Sequence, residues 1–241
     1  MSERLSLTAV LGTVQYIPIA TTLVALTFAY VLLRRYFERR TGPHLLWWSA
    51  GALTYALGTI TESVTTLAGW SPGVFRMWYV TGALLGGAPL AQGTVYLLLP
   101  RRTAHRLTIA LVAVIAVAAA CTLLSPLDTA LVEPHRLSGR VLGWRWVRAF
   151  SPFINLYALL FLVGGAAFSA WRFSRRAETH HRFVGNTLIA VGALLPGIGG
   201  AFTRFGHTEV LYVTEFIGLA LIIAGYRFNV VQPLPLRSAA P

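Results

Sequence analysis

The chain has 241 residues, of which 56% are hydrophobic and 12% are charged. A soluble domain of this composition would leave too much apolar surface in water, so composition excludes that class and indicates an integral membrane protein. The formal net charge of +12 comes from arginine, because the sequence contains no lysine. The single cysteine, Cys121, excludes an internal disulfide.

Seven apolar segments follow one another along the chain. They are Leu5–Leu33, Leu45–Leu67, Phe75–Leu99, Leu107–Leu124, Phe150–Trp171, Phe183–Phe202 and Val210–Phe228. A hydrocarbon core about 30 Å thick requires roughly 20 mostly apolar helical residues, and the backbone groups inside it must be paired within the segment. The sequence therefore predicts an all-α polytopic membrane protein, a seven-helix bundle that forms one domain over residues 1–241.

The arginines predict the orientation of this bundle. Thirteen of them flank one set of helix ends: Arg34, Arg35, Arg39, Arg40, Arg101, Arg102, Arg106, Arg172, Arg175, Arg176, Arg182, Arg227 and Arg237. The opposite ends have Arg4, Arg76 and Arg204, with four more in the long loop Ser125–Arg148. Because basic residues collect on the cytoplasmic side, we expect the N-terminus outside and the C-terminus in the cytoplasm.

The same distribution predicts the surroundings of the protein. Arginines at helix ends indicate contact with anionic lipid headgroups in a bilayer rather than with nucleic acid. We expect a multi-pass protein of the bacterial inner membrane. The loop Ser125–Arg148 mixes arginines with tryptophans, which suits a segment lying at the outer interface; a lid over an outer cavity is the alternative.

Two carboxylates lie within the predicted spans, Glu62 in the second and Glu215 in the seventh. An ionisable group in hydrocarbon is costly unless it is paired, protonated or hydrated, so both should face the interior of the bundle. Isolated amides in other spans, such as Gln92 and Asn155, are expected to make hydrogen bonds between helices.

Four further residues are predicted to lie near these carboxylates at the outer side: Arg76, Tyr79, Arg204 and Tyr212. Together the six could line one polar pocket that opens outward. The alternative is that Glu62 and Glu215 pair with Arg76 and Arg204 and only hold the helices together. The six residues are therefore a candidate ligand-binding site, with no catalytic or metal-binding group predicted among them.

One family comparison follows from the third span. Arg76, Tyr79, Thr81 and Pro89 loosely resemble the third helix of microbial rhodopsins, and seven helices with an outer N-terminus fit the same likeness. Those proteins hold retinal through a lysine of the last helix. Because this chain has no lysine, a covalent retinal pigment is excluded, and no cofactor is predicted.

Three functions remain compatible with the sequence. The first is a non-enzymatic receptor or sensor that binds a small ligand or protons and signals to a partner membrane protein or a second copy. The second is a proton- or cation-coupled carrier made of two three-helix repeats around a middle helix, suggested by the similar stretches WYVT at 78–81 and LYVT at 211–214. The third is a structural subunit of a larger membrane complex.

Overall fold

The computed structural model describes residues 14–40, 42–134 and 136–230, except for the side chain of Arg204. Within these residues the chain forms nine α-helices and no strand. They are α1 (Ile17–Arg39), α2 (Gly42–Ala68), α3 (Pro72–Trp78), α4 (Ala88–Leu98), α5 (Arg101–Leu124), α6 (Phe150–Ala158), α7 (Gly164–Phe173), α8 (His180–Phe202) and α9 (Thr208–Val230). Residues 5–13 of the first predicted segment lie outside the described residues.

Two of the predicted segments contain π-helices. The π-helix Tyr79–Leu85 follows α3, and the π-helix Leu159–Val163 joins α6 to α7. Shorter 3-10 helices occupy several connections: Thr129–Leu131, Gly139–Val141, Arg145–Ala149, Ala177–Thr179 and Thr203–Phe205. The all-helical prediction is thus confirmed for the described residues.

The third predicted segment, Phe75–Leu99, is interrupted. Its π-helix ends at Gly86, whose φ of +39° suits glycine, and α4 begins at Ala88 with a proline in its first turn. The irregular backbone frees the carbonyl of Ala83, which accepts hydrogen bonds from Ser151 Oγ (2.7 Å) and Asn155 Nδ2 (3.3 Å) of α6. Side chains of a neighbouring helix therefore replace the backbone partners that the π-helix loses.

The helical segments form a ring in which α5 lies outside. In order around the ring are α1, α2, the segment α3–α4, the segment α6–α7, α8 and α9, and α9 returns to α1. Helix α5 packs against α4, α6 and the π-helix Tyr79–Leu85, and it exposes large apolar side chains such as Ile109 and Leu124. An apolar face of this kind is what a bilayer or a partner helix requires.

Helices α8 and α9 approach each other most closely, along a line of glycines. Gly185, Gly192 and Gly199 repeat every seven residues on α8 and are buried. A Cβ atom added to Gly192 would lie 2.5 Å from the carbonyl oxygen of Gly218, and one added to Gly185 would lie 2.8 Å from that of Gly225. Only glycine allows this backbone contact, which is typical of helix packing in membranes.

Gln92 of α4 is fully buried and joins three helical segments. Its Nε2 donates to Thr108 Oγ1 (2.8 Å) and to the carbonyl of Ala104 (3.2 Å) on α5, and its Oε1 accepts from the Tyr157 hydroxyl (2.5 Å). The predicted interhelical role of this amide is confirmed.

Five helical segments are long and apolar enough to cross a membrane: Ile17–Arg39, Arg101–Leu124, Arg145–Phe173, Ala177–Phe202 and Thr208–Val230. Two predicted spans are absent from this set, which covers the described residues. Helix α2 is long enough, but its second half is rich in Thr, Ser and Glu, and the α3–α4 segment is divided into short pieces. The seven-span count and the orientation stay predictions.

Candidate functional site

Glu62 and Glu215 meet at one depth in the bundle. Glu62 lies six residues before the end of α2 and Glu215 seven residues after the start of α9. At 1.5 Å rise per residue, both lie about 10 Å from that end of the bundle. The two carboxyl groups are close enough to interact electrostatically. The sequence-based prediction that they face the interior agrees with this geometry.

The surroundings of the pair are aromatic. The indole Nε1 of Trp78, the last residue of α3, donates to Glu62 Oε1 over 3.1 Å. The hydroxyl of Tyr55, two turns before Glu62 on α2, donates to the backbone carbonyl of Glu215 over 3.0 Å. Tyr212, one turn before Glu215, is 7% exposed and lies within electrostatic range of both carboxyl groups.

The pair has unsatisfied oxygens. Glu62 is 4% exposed, and the Oε2 atoms of Glu62 and Glu215 are both buried without a hydrogen bond to any group that the structure describes. A buried polar atom without a partner is destabilising by about 1–3 kcal/mol. These two oxygens therefore indicate that a proton, water or ligand belongs between or beside the carboxyl groups.

No cation among the described side chains pairs with these carboxylates. The ion pairs found among the described residues are Arg34–Glu38, Arg136–Glu133 and His207–Glu209. Two ionised carboxylates in contact would repel each other strongly in a low-dielectric interior. Among the described side chains, which do not include that of Arg204, no cation balances the charge of two ionised carboxylates.

Arg76 is not part of this site. Its guanidinium donates to the carbonyls of Thr122 (3.4 Å) and Ser125 (3.0 Å), where the C-terminus of α5 leaves backbone acceptors unpaired. The alternative in which Arg76 pairs with one of the two glutamates is not seen in this structure. The physical reason is that the four free carbonyls of a helix end attract a guanidinium without the cost of a second buried charge.

Tyr79 also lies outside the pair. It is 3% exposed and packs with Phe75, Val141 and Val147 in an apolar cluster formed by the end of the bundle and the long loop. Arg204 belongs to the 3-10 helix Thr203–Phe205, and its side chain is not among the described groups. Of the six predicted residues, the structure brings together Glu62, Glu215 and Tyr212.

The loop Ser125–Arg148 covers this end of the bundle. The backbone N–H of Trp70 donates to the carbonyl of Pro134 (2.9 Å), and Arg136 Nη2 donates to the carbonyl of Thr203 (2.7 Å). The loop thus joins the α2–α3 turn to the α8–α9 turn. It contains a 3-10 helix, Arg145–Ala149, and its exposed Trp144 and Trp146 stack at 6.1 Å between ring centroids.

The two cavities described in the structure lie away from the carboxylates, along α1 and α9. The outward-opening pocket expected from the sequence is not one of them. Nor do the described residues contain a cluster of three or more histidine, cysteine, aspartate or glutamate side chains that could hold a metal ion.

Sequence reasoning missed Trp78 and Tyr55 as partners of the site. Tyr55 precedes Glu62 by seven residues, a spacing that places both on one face of α2. A tryptophan near the end of a predicted span is ordinary at a membrane interface, so Trp78 did not stand out. Its role as a donor is revealed only by the packing of the π-helix Tyr79–Leu85 against α2, where a Cβ on Gly58 would lie 3.3 Å from the Gly82 Cα.

These features define a class: an all-helical protein with several membrane-length apolar helices and a buried pair of carboxyl groups under a loop. No family model, curated protein or solved structure matches the chain.

Proposed function

We propose that this chain is a non-enzymatic membrane protein of the receptor or sensor type that binds a proton, or a small ligand in its place, at the Glu62–Glu215 pair. The observation that carries the proposal is the proximity of two glutamates whose Oε2 atoms are both buried without partners among the described residues. A site whose charge balance needs one proton can change state when that proton is lost or replaced.

The groups around the pair support proton binding rather than a purely structural role. Trp78 and Tyr55 are neutral donors, and Arg136 of the loop reaches electrostatic range of Tyr212. A structural ion pair would need a cation on one of the two glutamates. Instead, the Trp78 indole holds the Glu62 carboxyl group without neutralising it, and the Tyr55 hydroxyl holds the backbone carbonyl of Glu215. No described side chain therefore balances the charge of the pair.

Titration of the purified protein from neutral to alkaline pH, followed by tryptophan fluorescence, tests the proposal. Trp78 touches Glu62, so a change in protonation there alters its emission; the Trp78→Phe variant supplies the signal of the other six tryptophans. We expect a transition in the wild type that disappears in Glu62→Gln and in Glu215→Gln.

The matched control for this titration is Glu209→Gln, because Glu209 lies at the same end of the bundle in an exposed contact with His207 (3.1 Å). The transition should persist in that variant. A transition of unchanged size and midpoint in both Glu62→Gln and Glu215→Gln would overturn the proposal.

A proton- or cation-coupled carrier is the second candidate, favoured by the order of the ring. The first three and last three helical segments each form a run of neighbours, and α5 stands outside, as two repeats around a middle helix require. A pH-sensitive dye trapped in proteoliposomes separates the two functions. The receptor gives no proton flux, whereas the carrier gives a flux that Glu62→Gln abolishes.

The receptor proposal includes seven spans, an outer N-terminus, a cytoplasmic C-terminus and residence in the bacterial inner membrane. Helix α2 and the α3–α4 segment would then cross the bilayer as members of the ring, with their buried polar residues facing other helices rather than lipid. The signal would pass to a partner membrane protein or a second copy of the chain. A structural subunit would instead copurify with fixed partners and be unstable alone.

A further inference from the structure

A groove runs between α1 and α9 on the outside of the ring. Its apolar part is a cavity of about 480 Å³. The residues that line it are Leu23, Val24, Thr27, Phe28, Val31, Ile223, Tyr226 and Arg227. Because α1 and α9 are both membrane-length helices, this cavity opens toward the region that lipid acyl chains occupy.

The groove continues into a second cavity of about 360 Å³ with a basic wall. Val31, Tyr226 and Arg227 line both cavities, and the second adds Arg34, Arg35 and Arg39. Its carboxylate, Glu38, is engaged by Arg34 Nε over 2.6 Å. Four arginines against one glutamate leave an excess of positive charge at this end of the groove.

Tyr226 stands where the apolar and basic parts meet. Tyr226 is 9% exposed, and its hydroxyl is buried without a hydrogen bond to any described group. The guanidinium of Arg35 lies over the ring, with its Cζ 5.7 Å from the centroid. An unpartnered donor beside four arginines points to a missing acceptor.

The length of the groove matches one leaflet. Leu23 at its apolar end and Arg34 at its basic end are eleven residues apart on α1, which is about 16 Å of helix. Half of a hydrocarbon core of about 30 Å is close to this length. An acyl chain that lies along the groove would therefore bring its headgroup to the arginines.

We propose that this groove binds one anionic phospholipid, with an acyl chain along α1 and the phosphate at Arg35, Arg227 and the Tyr226 hydroxyl. Arginine guanidinium groups and a tyrosine O–H are suitable donors to phosphate oxygens. A second copy of the chain is a poorer occupant, because a symmetric contact through this groove would bring two arginine clusters together.

Lipid binding to the purified full-length protein, measured by native mass spectrometry with phosphatidylglycerol or phosphatidylcholine, tests the basic end. The variant is Arg35→Gln with Arg227→Gln, and the matched control is Arg101→Gln with Arg102→Gln at the exposed start of α5. Each basic residue near a membrane surface contributes about fivefold to the binding of anionic lipid. We expect phosphatidylglycerol to bind about thirtyfold more weakly to the groove variant and with unchanged affinity to the control.

Equal weakening in both pairs would overturn the proposal, since it would mean that only general surface charge attracts the lipid. A groove that binds phosphatidylcholine as tightly as phosphatidylglycerol would overturn it as well.

Val31→Trp tests the apolar part, because Val31 lines both cavities and is 44% exposed, so a larger side chain fills the groove without removing an arginine. We expect this variant to lose the tight phosphatidylglycerol site and to keep its thermal stability. Full displacement of the lipid by inorganic phosphate would identify a simple anion site instead. Crosslinking between copies through Leu23→Cys in a Cys121→Ala background, unaffected by lipid, would identify a dimer contact.

Discussion

Trp78 determines which oxygen of Glu62 can carry a proton. An indole N–H can only donate, so Glu62 Oε1, which receives it, acts as an acceptor. A proton carried by Glu62 therefore belongs on Oε2, the oxygen without a described partner. This arrangement makes Trp78 a positioning residue: it fixes the orientation of the carboxyl group toward Glu215.

Trp78→Phe removes this donor and leaves the first oxygen of Glu62 without a hydrogen bond. We expect the variant to lose about 1–3 kcal/mol of stability, the cost of one unsatisfied buried acceptor. Thermal unfolding in detergent measures the loss. The control is Trp146→Phe, at a side chain that is 58% exposed and stacked on Trp144; equal destabilisation by both variants would contradict the role given to Trp78.

Much of the candidate site was predictable at the level of single residues, and its partners were not. A carboxylate inside an apolar segment stands out in any sequence, so Glu62 and Glu215 were identified together with Tyr212. Arg76 was assigned wrongly because the sequence does not reveal that the end of α5 offers free carbonyls at 3.0 Å and 3.4 Å. Tyr55 was missed because tyrosine in a span is ordinary until its hydroxyl is seen on a backbone carbonyl.

At the scale of elements, the hairpin of α8 and α9 depends on glycines that repeat every seven residues. Gly192 faces Gly218 so closely that any side chain would meet a backbone carbonyl. Pro196, which lies within α8, also contacts this line: a Cβ on Gly218 would be 3.1 Å from its Cδ. Pro196 and Gly199 therefore serve the close packing of α8 against α9 in this structure.

Gly192→Ala tests this packing. The added methyl group would force the helices apart, and overpacking of this kind costs about 1–3 kcal/mol. The matched control is Gly197→Ala on the same helix, where an added Cβ meets nothing within 4 Å and the change should stabilise by about 0.5–1 kcal/mol through helix propensity. If the melting temperature of Gly192→Ala is equal to or higher than that of Gly197→Ala, the glycines of α8 are not in close contact with α9.

Apolar periodicity located the helices but not their internal breaks. The fourth and sixth segments end at Leu124 and Phe202, where α5 and α8 also end. Their starts lie earlier in the structure, since arginine and histidine continue a helix that hydropathy no longer detects. The break at Gly86 depends on hydrogen-bond register, and the Ser151 and Asn155 side chains that stabilise it come from a distant part of the sequence.

At the scale of the whole molecule, orientation rests on thirteen arginines against seven. The C-terminal ends of α1, α7 and α9 bear arginines. In the structure these ends lie together, on the side opposite the loop Ser125–Arg148. We expect a reporter enzyme active only outside the cytoplasm to work when fused within residues 129–131, and one active only in the cytoplasm to work at residues 174–176. The opposite result at both sites would reverse the proposed topology.

The Glu62–Glu215 site depends on the whole bundle, because its residues come from α2, α3 and α9 and meet only when these helices pack together. In the assembled bundle the two carboxyl groups lie close to each other with no cation beside them among the described side chains, which makes one shared proton the simplest charge balance.

Infrared spectroscopy of the protein at neutral pH tests this account most directly, because a protonated carboxyl group has a C=O stretching band that a carboxylate lacks. The account predicts one such band in the wild type, shifted in heavy water, unchanged in Glu133→Gln and absent from Glu62→Gln and Glu215→Gln, where the remaining carboxylate accepts from the new amide. A wild-type spectrum without a protonated carboxyl band, in a sample free of bound cations, would contradict it.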